Sequence, residues 1–253
     1  MFIVLAFRQV FFSSIPLQLD RLKRYLLLLK QTFLLILPGD PIVGTCVMLT
    51  FDFASVDFYS HIFPFLHEHG IPAVVGIAWR YVPPNTALTL PLTYRLATSE
   101  VLAFQDEIFS KHMPFCCQQE LSHMTTSPYI QFASSGFALR NLQNSPPYLI
   151  TEVFLSKHYL ETMLEKKPLA FVFPFGKSDR ASQDFVAQHY SYSFVLGNTI
   201  NLKSKTHNIY RLDMQPSYYT LPNSYSSRHL KNWLLMKFRQ WRVRSHLKLL
   251  KED

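Results

Sequence analysis

The stretch Cys46-Val47-Met48-Leu49-Thr50-Phe51-Asp52-Phe53-Ala54 sets the fold. A short apolar run, Cys46 to Phe51, stops on a carboxylate and is followed by an amphipathic stretch from Asp57 to His69. That is the strand-then-helix unit of an α/β protein. Working outward, the same alternation recurs. Phe2 to Phe7 reads as a strand before a Leu-rich helix from about Pro16. Pro72 to Trp79 reads as a strand, Ser99 to Lys111 and Gln118 to Met124 as helices, and Tyr129 to Ser134 as a strand. Tyr148 to Glu165 then reads as a helix, with Leu169 to Phe173 and Ser193 to Leu196 as strands. Strands that alternate with helices pair in parallel through right-handed crossovers, so the pattern predicts an α/β fold: a barrel or an open sheet.

Composition bounds the chemistry. The chain has 253 residues, 48% hydrophobic and 17% charged, which suits one large folded domain and excludes a disordered protein. Only seven residues are Gly, and neither G-x-G-x-x-G nor G-x-x-x-x-G-K-[ST] occurs, which argues against nucleotide binding of those kinds. Cys46, Cys116 and Cys117 are odd in number and two are adjacent, so a reducing compartment, the cytoplasm, is expected. No stretch reaches the ~20 apolar residues of a membrane span, and Met1 to Phe7 lacks the basic start of a signal peptide.

The formal charge of +8 is uneven. Arg228 to Lys251 carries eight Lys or Arg and no acid, whereas residues 1–227 carry 17 basic and 15 acidic side chains. Leu230, Leu234, Phe238 and Trp241 fall at helical spacing, so residues 228–253 are expected to form a basic amphipathic helix. Two partners suit its apolar stripe: the core of the 1–227 domain, or an anionic membrane surface, which would place the protein peripherally on the inner face. No nucleic-acid recognition module accompanies the basic residues, and no nucleic-acid partner is expected.

Three segments punctuate the strand ends: Thr50-Phe51-Asp52-Phe53-Ala54, Ala133-Ser134-Ser135-Gly136 and Phe173-Pro174-Phe175-Gly176. In parallel α/β barrels the active site is built on that edge. In order and separation these segments resemble the polysaccharide deacetylase family, the metal-dependent enzymes related to nodulation-type chitooligosaccharide deacetylases. Thr50 to Ala54 resembles the family's T-F-D-D-G, and His69-Gly70-Ile71-Pro72-Ala73 its following strand. Gln119 to Met124 resembles the helix before the H-[ST]-x-x-H motif, Ser134 to Leu142 that motif's segment, and Pro174-Phe175-Gly176-Lys177 the P-[FY]-G motif. Val4-Leu5-Ala6-Phe7-Arg8-Gln9-Val10 resembles the first strand. The resemblance implies a distorted (β/α) barrel and hydrolysis of N-acetyl amide bonds in carbohydrates, with zinc, cobalt or nickel as the family cofactor.

The same comparison exposes the departures. Where the family holds its metal, this chain has Phe53, Ser135 and Leu139. A phenyl ring and an isobutyl group donate no lone pair, and a neutral hydroxyl is a poor ligand, so no metal is expected. Asp52 matches the family's catalytic base and is the candidate base here. Arg8 stands where relatives have His; it is either a partner for Asp52 or a solvated surface arginine. The Arg that precedes the third motif in relatives is Val172. Phe53, Pro174, Phe175, Gly176 and Arg8 are the candidate substrate-binding residues, with a glycan or an acetylated small molecule as the ligand that the resemblance implies. Two functions remain open: a catalytically degenerate deacetylase-like protein that keeps the fold for binding, or an active hydrolase of non-peptide C–N bonds in a glycan with a non-standard site.

Other constellations are weaker. His67 and His69 lie two apart and point apart on a helix. Cys116 and Cys117 have spacings unlike zinc modules and read as buried thiols, and Ser134 and Ser135 lack a G-x-S-x-G elbow.

Overall fold

The computed structural model describes residues 2–8, 16–96, 100–165, 167–202 and 206–214. The elements run in the following order. β1 (Phe2–Phe7), α1 (Pro16–Thr32), the short β2 (Leu34–Leu35) and β3 (Cys46–Phe51) come first. A π-helical turn (Phe58–Ile62) continues into α2 (Phe63–Glu68), then β4 (Ala73–Ile77), α3 (Leu92–Arg95), α4 (Glu100–Ala103), α5 (Asp106–His112), α6 (Gln118–Thr125) and β5 (Ile130–Ser134). A second π-helical turn (Ile150–Leu155) leads into α7 (Ser156–Leu164), then β6 (Ala170–Val172), α8 (Arg180–His189), β7 (Tyr192–Leu196) and β8 (Ile209–Asp213).

The strands pair in parallel in the order β1-β8-β7-β6-β5-β4-β3, and β1 pairs with β3 from Phe2↔Cys46 to Phe7↔Phe51. That last pairing closes a seven-stranded barrel. β2 adds to the lower part of β3 at Leu34↔Cys46, outside the ring. Every residue of β1, β3 and β4 is buried, as expected where helices cover a parallel sheet.

Period-two alternation sorts the strand side chains into two layers. Phe2, Val4, Met48, Val74, Ala133, Val172, Phe194 and Ile209 fill the barrel, and Ile36 of the segment after β2 joins them. Ile3, Leu5, Val47, Leu49, Val75 and Phe132 face outward and pack with Leu22, Leu26 and Leu29 of α1. A buried ion pair fixes the α3 side. Arg95 donates to both Glu120 oxygens (2.7 and 3.0 Å) and to the carbonyls of Met113 and Phe115, while Glu120 accepts from Cys117 N–H.

The expected barrel is present, with local differences. The helix expected over Ser99 to Lys111 is two helices, because Gln105 is extended and starts α5 with Asp106 and Glu107 in its first turn. The helices expected over Asp57 to His69 and Tyr148 to Glu165 both begin with π-helical turns. β2, β8, α3 and α8 are additions to the sequence reading. Residues 228–253, expected to form the basic helix, lie outside the described residues.

Candidate functional site

The site follows from the same alternation carried past the apolar core. On β1 the inward positions Phe2, Val4 and Ala6 lead to Arg8, on β3 Met48 and Thr50 lead to Asp52, on β5 Ala133 leads to Ser135, and on β8 Ile209 leads to Arg211 and Asp213. β1 and β3 are in register to Phe7↔Phe51, and Asp52 N–H donates to Phe7 O at 3.1 Å, so Arg8 and Asp52 are level. Four strands thus deliver polar groups to one end of an otherwise apolar barrel.

These groups form a charge network. Arg211, only 1% exposed, donates from Nη1 and Nη2 to Asp52 Oδ1 and Oδ2, and its Nη1 also lies 3.2 Å from Thr50 Oγ1. Thr50 Oγ1 in turn donates to Leu5 O at 2.9 Å. Arg8 Nε lies 3.8 Å from Asp52 Oδ2, and Arg8 Nη1 donates to Asp213 Oδ2 at 3.4 Å. Two guanidinium groups and two carboxylates balance. Arg8 is the member a ligand meets first, with its side chain 40% exposed against 11% for Asp52. Arg211 Nε is buried and has no hydrogen-bond partner among the described residues.

The backbone around Asp52 is tightly set. Ser135 Oγ donates to Asp52 O at 3.4 Å, and a Cβ on Gly76 would overlap both groups, so β4 needs a glycine there. The neighbouring loop is shaped by Glu152. Its buried carboxylate accepts from the N–H groups of Ala138 (3.0 Å) and Arg140 (3.3 Å), and Gly136, at φ +89°, leaves the space it occupies. Burial pushes the Glu152 carboxyl pKa above its ordinary value, against the opposing pull of those backbone donors.

Arg8, Asp52, Phe53, Ser135, Leu139, Pro174 and Phe175 converge on one cavity of about 220 Å³. Phe104, Val172 and Phe173 complete its wall. Phe53 turns sideways into an aromatic cluster: its ring meets Phe104 edge-on at 5.0 Å, and Phe104 meets Tyr81 at 4.9 Å. Phe175 is 58% exposed and sits at φ +57°. Gly176 differs from its expected neighbours: it turns toward Leu196 of β7, where a Cβ would overlap. Cys116 and Cys117 are buried free thiols; burial pushes the Cys116 thiol well up, and it donates to Ser55 O at 3.2 Å, which suits an inert core group. His67 pairs with Ser127 Oγ and His69 packs on the Phe65 ring, so the two act separately.

A transition metal does not fit these residues. Phe53 and Leu139 offer hydrocarbon, the Ser135 hydroxyl is engaged with Asp52 O, and two guanidinium groups stand beside the Asp52 carboxylate. The sequence reading did not find Arg211, Asp213, Glu152 or Phe104. For Arg211 and Asp213 the signal was available: Ile209-Tyr210-Arg211-Leu212-Asp213 has the alternation of a short strand.

Comparison with known proteins agrees with the fold. A family model described as polysaccharide deacetylase matches residues 41–194. No curated protein sequence gives a significant match. Among solved structures, the deacetylase PplD of Streptococcus pyogenes, determined in complex with acetate, is 15% identical; the match covers 85% of this chain and 92% of that one, with a TM-score of 0.64. IcaB of Ammonifex degensii is 17% identical over 89% and 95% of the two chains, with a TM-score of 0.59. A polysaccharide deacetylase of Bacillus cereus is 13% identical over 89% and 68%, with a TM-score of 0.64. At these identities the shared property is the fold.

Proposed function

The chain belongs to the polysaccharide deacetylase family, and from that premise we propose that it is a carbohydrate-binding member that has given up metal-dependent deacetylation. One observation carries the reading: the Asp52 carboxylate, which matches the family's base, is held between Arg211 and Arg8, while Phe53, Ser135 and Leu139 stand at the ligand positions. In the family the metal polarises the acetamide and activates water. The side chains around Asp52 supply neither effect, because Arg8 and Arg211 already neutralise the Asp52 and Asp213 carboxylates.

What remains suits binding. Arg8 presents an exposed guanidinium to the cavity, and Phe175 offers an exposed ring at its mouth, where the face of a pyranose can stack. The ligand class we assign is a neutral N-acetylated oligosaccharide, since the network's charges balance internally. The active-hydrolase alternative gains no observation of its own.

The deciding experiment pairs two measurements on tag-free protein. Titration calorimetry with chitooligosaccharides should show binding, and the same protein supplied with zinc, cobalt or nickel should show neither stoichiometric metal by elemental analysis nor turnover above background. Turnover that disappears with chelator and with Asp52→Asn would establish an active hydrolase instead.

A further inference from the structure

The barrel's opposite end holds a larger cavity, about 510 Å³, within the roughly 300–1,000 Å³ of sites that take small organic molecules. Its origin is a split in the sheet. β5 begins at Ile130 but pairs with β6 only from Ala133↔Ala170 upward, so the first three residues of β5 have no β6 partner. The cavity opens at this split, between the turn after α6, Leu164 and residues 167–169 before β6, and Leu37 below the barrel.

Its lining is apolar with two unanswered polar groups. Leu37, Phe132, Leu164 and Leu169 form the walls, and Leu169 is exposed. Gln131 occupies the inward position below Ala133. Its Oε1 is shielded from solvent with no hydrogen-bond partner, and neither end of its amide is engaged among the described residues. Buried polar groups in native proteins are nearly always satisfied, by protein or by ordered water, so an orphan acceptor beside a cavity is a place for a ligand donor or for the water that the ligand displaces. Lys167, exposed at the rim, forms no ion pair among the described residues. The hydroxyls nearby are already satisfied: Thr125 Oγ1 donates to Ser122 O and Thr126 Oγ1 to His123 O.

We propose that this cavity is a second binding site, for a small amphipathic anion with an apolar body, an N–H or O–H donor for the Gln131 amide and an acidic group for Lys167. Because Gln131 Oε1 is shielded as the cavity stands, meeting that donor requires the amide to rotate toward the cavity. The site lies across the barrel from the Asp52 cleft and is independent of the carbohydrate reading.

The test uses 8-anilinonaphthalene-1-sulfonate, which combines aromatic rings, an anilino N–H and a sulfonate. With the full chain, its fluorescence should rise to saturation at one dye per protein. Lys167→Glu and Gln131→Leu should each weaken binding about tenfold, and Arg8→Ala, in the opposite cleft, should leave it unchanged. Circular dichroism and melting must match wild type for a variant to count; if Gln131→Leu fails to fold, the exposed Lys167→Glu decides. Binding that survives both substitutions, or falls equally with Arg8→Ala, overturns the proposal. So does dye binding seen only after residues 228–253 are deleted, because the chain's own tail would then fill the cavity.

Discussion

Arg211 and Asp52, 159 residues apart in the chain, pair inside the barrel through both guanidinium Nη atoms. The pairing is asymmetric in its dependence. Arg211 is buried and, among the described residues, its charge is answered by Asp52 alone, whereas Asp52 also has Arg8 at 3.8 Å. Asp52→Ala should therefore destabilise by about 3–5 kcal/mol, the cost of stranding a buried charge. Arg211→Met should cost less, and most of the loss in Asp52→Ala should be recovered in the double variant. Urea unfolding of the four proteins measures this. Equal, additive losses would mean that the pair is solvated and contributes little.

How much of this was legible in the sequence differs by element. β3 and Asp52 stood out because an unbroken apolar run stops on a carboxylate, and the barrel followed from repeated strand-helix units. β8 was missed although it alternates, because its inward positions include Arg211, and a five-residue segment with a central charge reads as a loop as readily as a strand. α8 was hidden for another reason: it buries only Ser182 and Val186, too little for an apolar stripe, and its start is fixed by the Asp179 cap instead. The Phe53–Phe104 contact is a long-range packing event that no local spacing encodes. The site was therefore half visible, through the strands whose interiors are apolar up to their last residue.

Phe175 provides a separation of binding from stability. Its ring is exposed, and its φ of +57° costs a non-glycine residue about 1–2 kcal/mol. Phe175→Ala should weaken oligosaccharide binding about two- to tenfold, equivalent to roughly 0.5–1.5 kcal/mol of ring stacking. Phe175→Gly should lose the same affinity while keeping or raising the melting temperature, because glycine accepts that backbone conformation. A marked fall in melting temperature for Phe175→Gly would show that the ring serves packing.

Glu152 should leave a signature in the pH dependence of stability. Burial raises its folded pKa, so the native state holds that proton to higher pH than the unfolded chain does. Its contribution is then fullest below the unfolded carboxyl pKa of about 4.3 and is lost as pH rises through the folded value. With Glu152→Gln as reference, the wild-type advantage in unfolding free energy should shrink from acidic to neutral pH. An advantage that grows with pH would mean that the Ala138 and Arg140 N–H groups outweigh burial.

The basic tail carries the last expectation, which rests on residues 228–253 of the sequence. Met214, whose N–H donates to Ala6 O, ends the described run at the carboxyl end of β8, on the same side of the barrel as the Asp52 cleft. Eight cationic side chains and the stripe Leu230, Leu234, Phe238 and Trp241 suit an anionic bilayer. Each Lys or Arg at such a surface contributes about 1 kcal/mol, and the attraction decays over a Debye length of about 8 Å at physiological salt. Sedimentation with vesicles should show weak binding to anionic but not neutral lipid, reduced at high salt and lost on deletion of residues 228–253. The competing arrangement buries the stripe against the barrel, and it predicts a different result for the same deletion: an unstable or insoluble protein with no lipid dependence. Melting curves of the truncated chain separate the two, since a solvent-facing helix can be removed without cost and a packed one cannot.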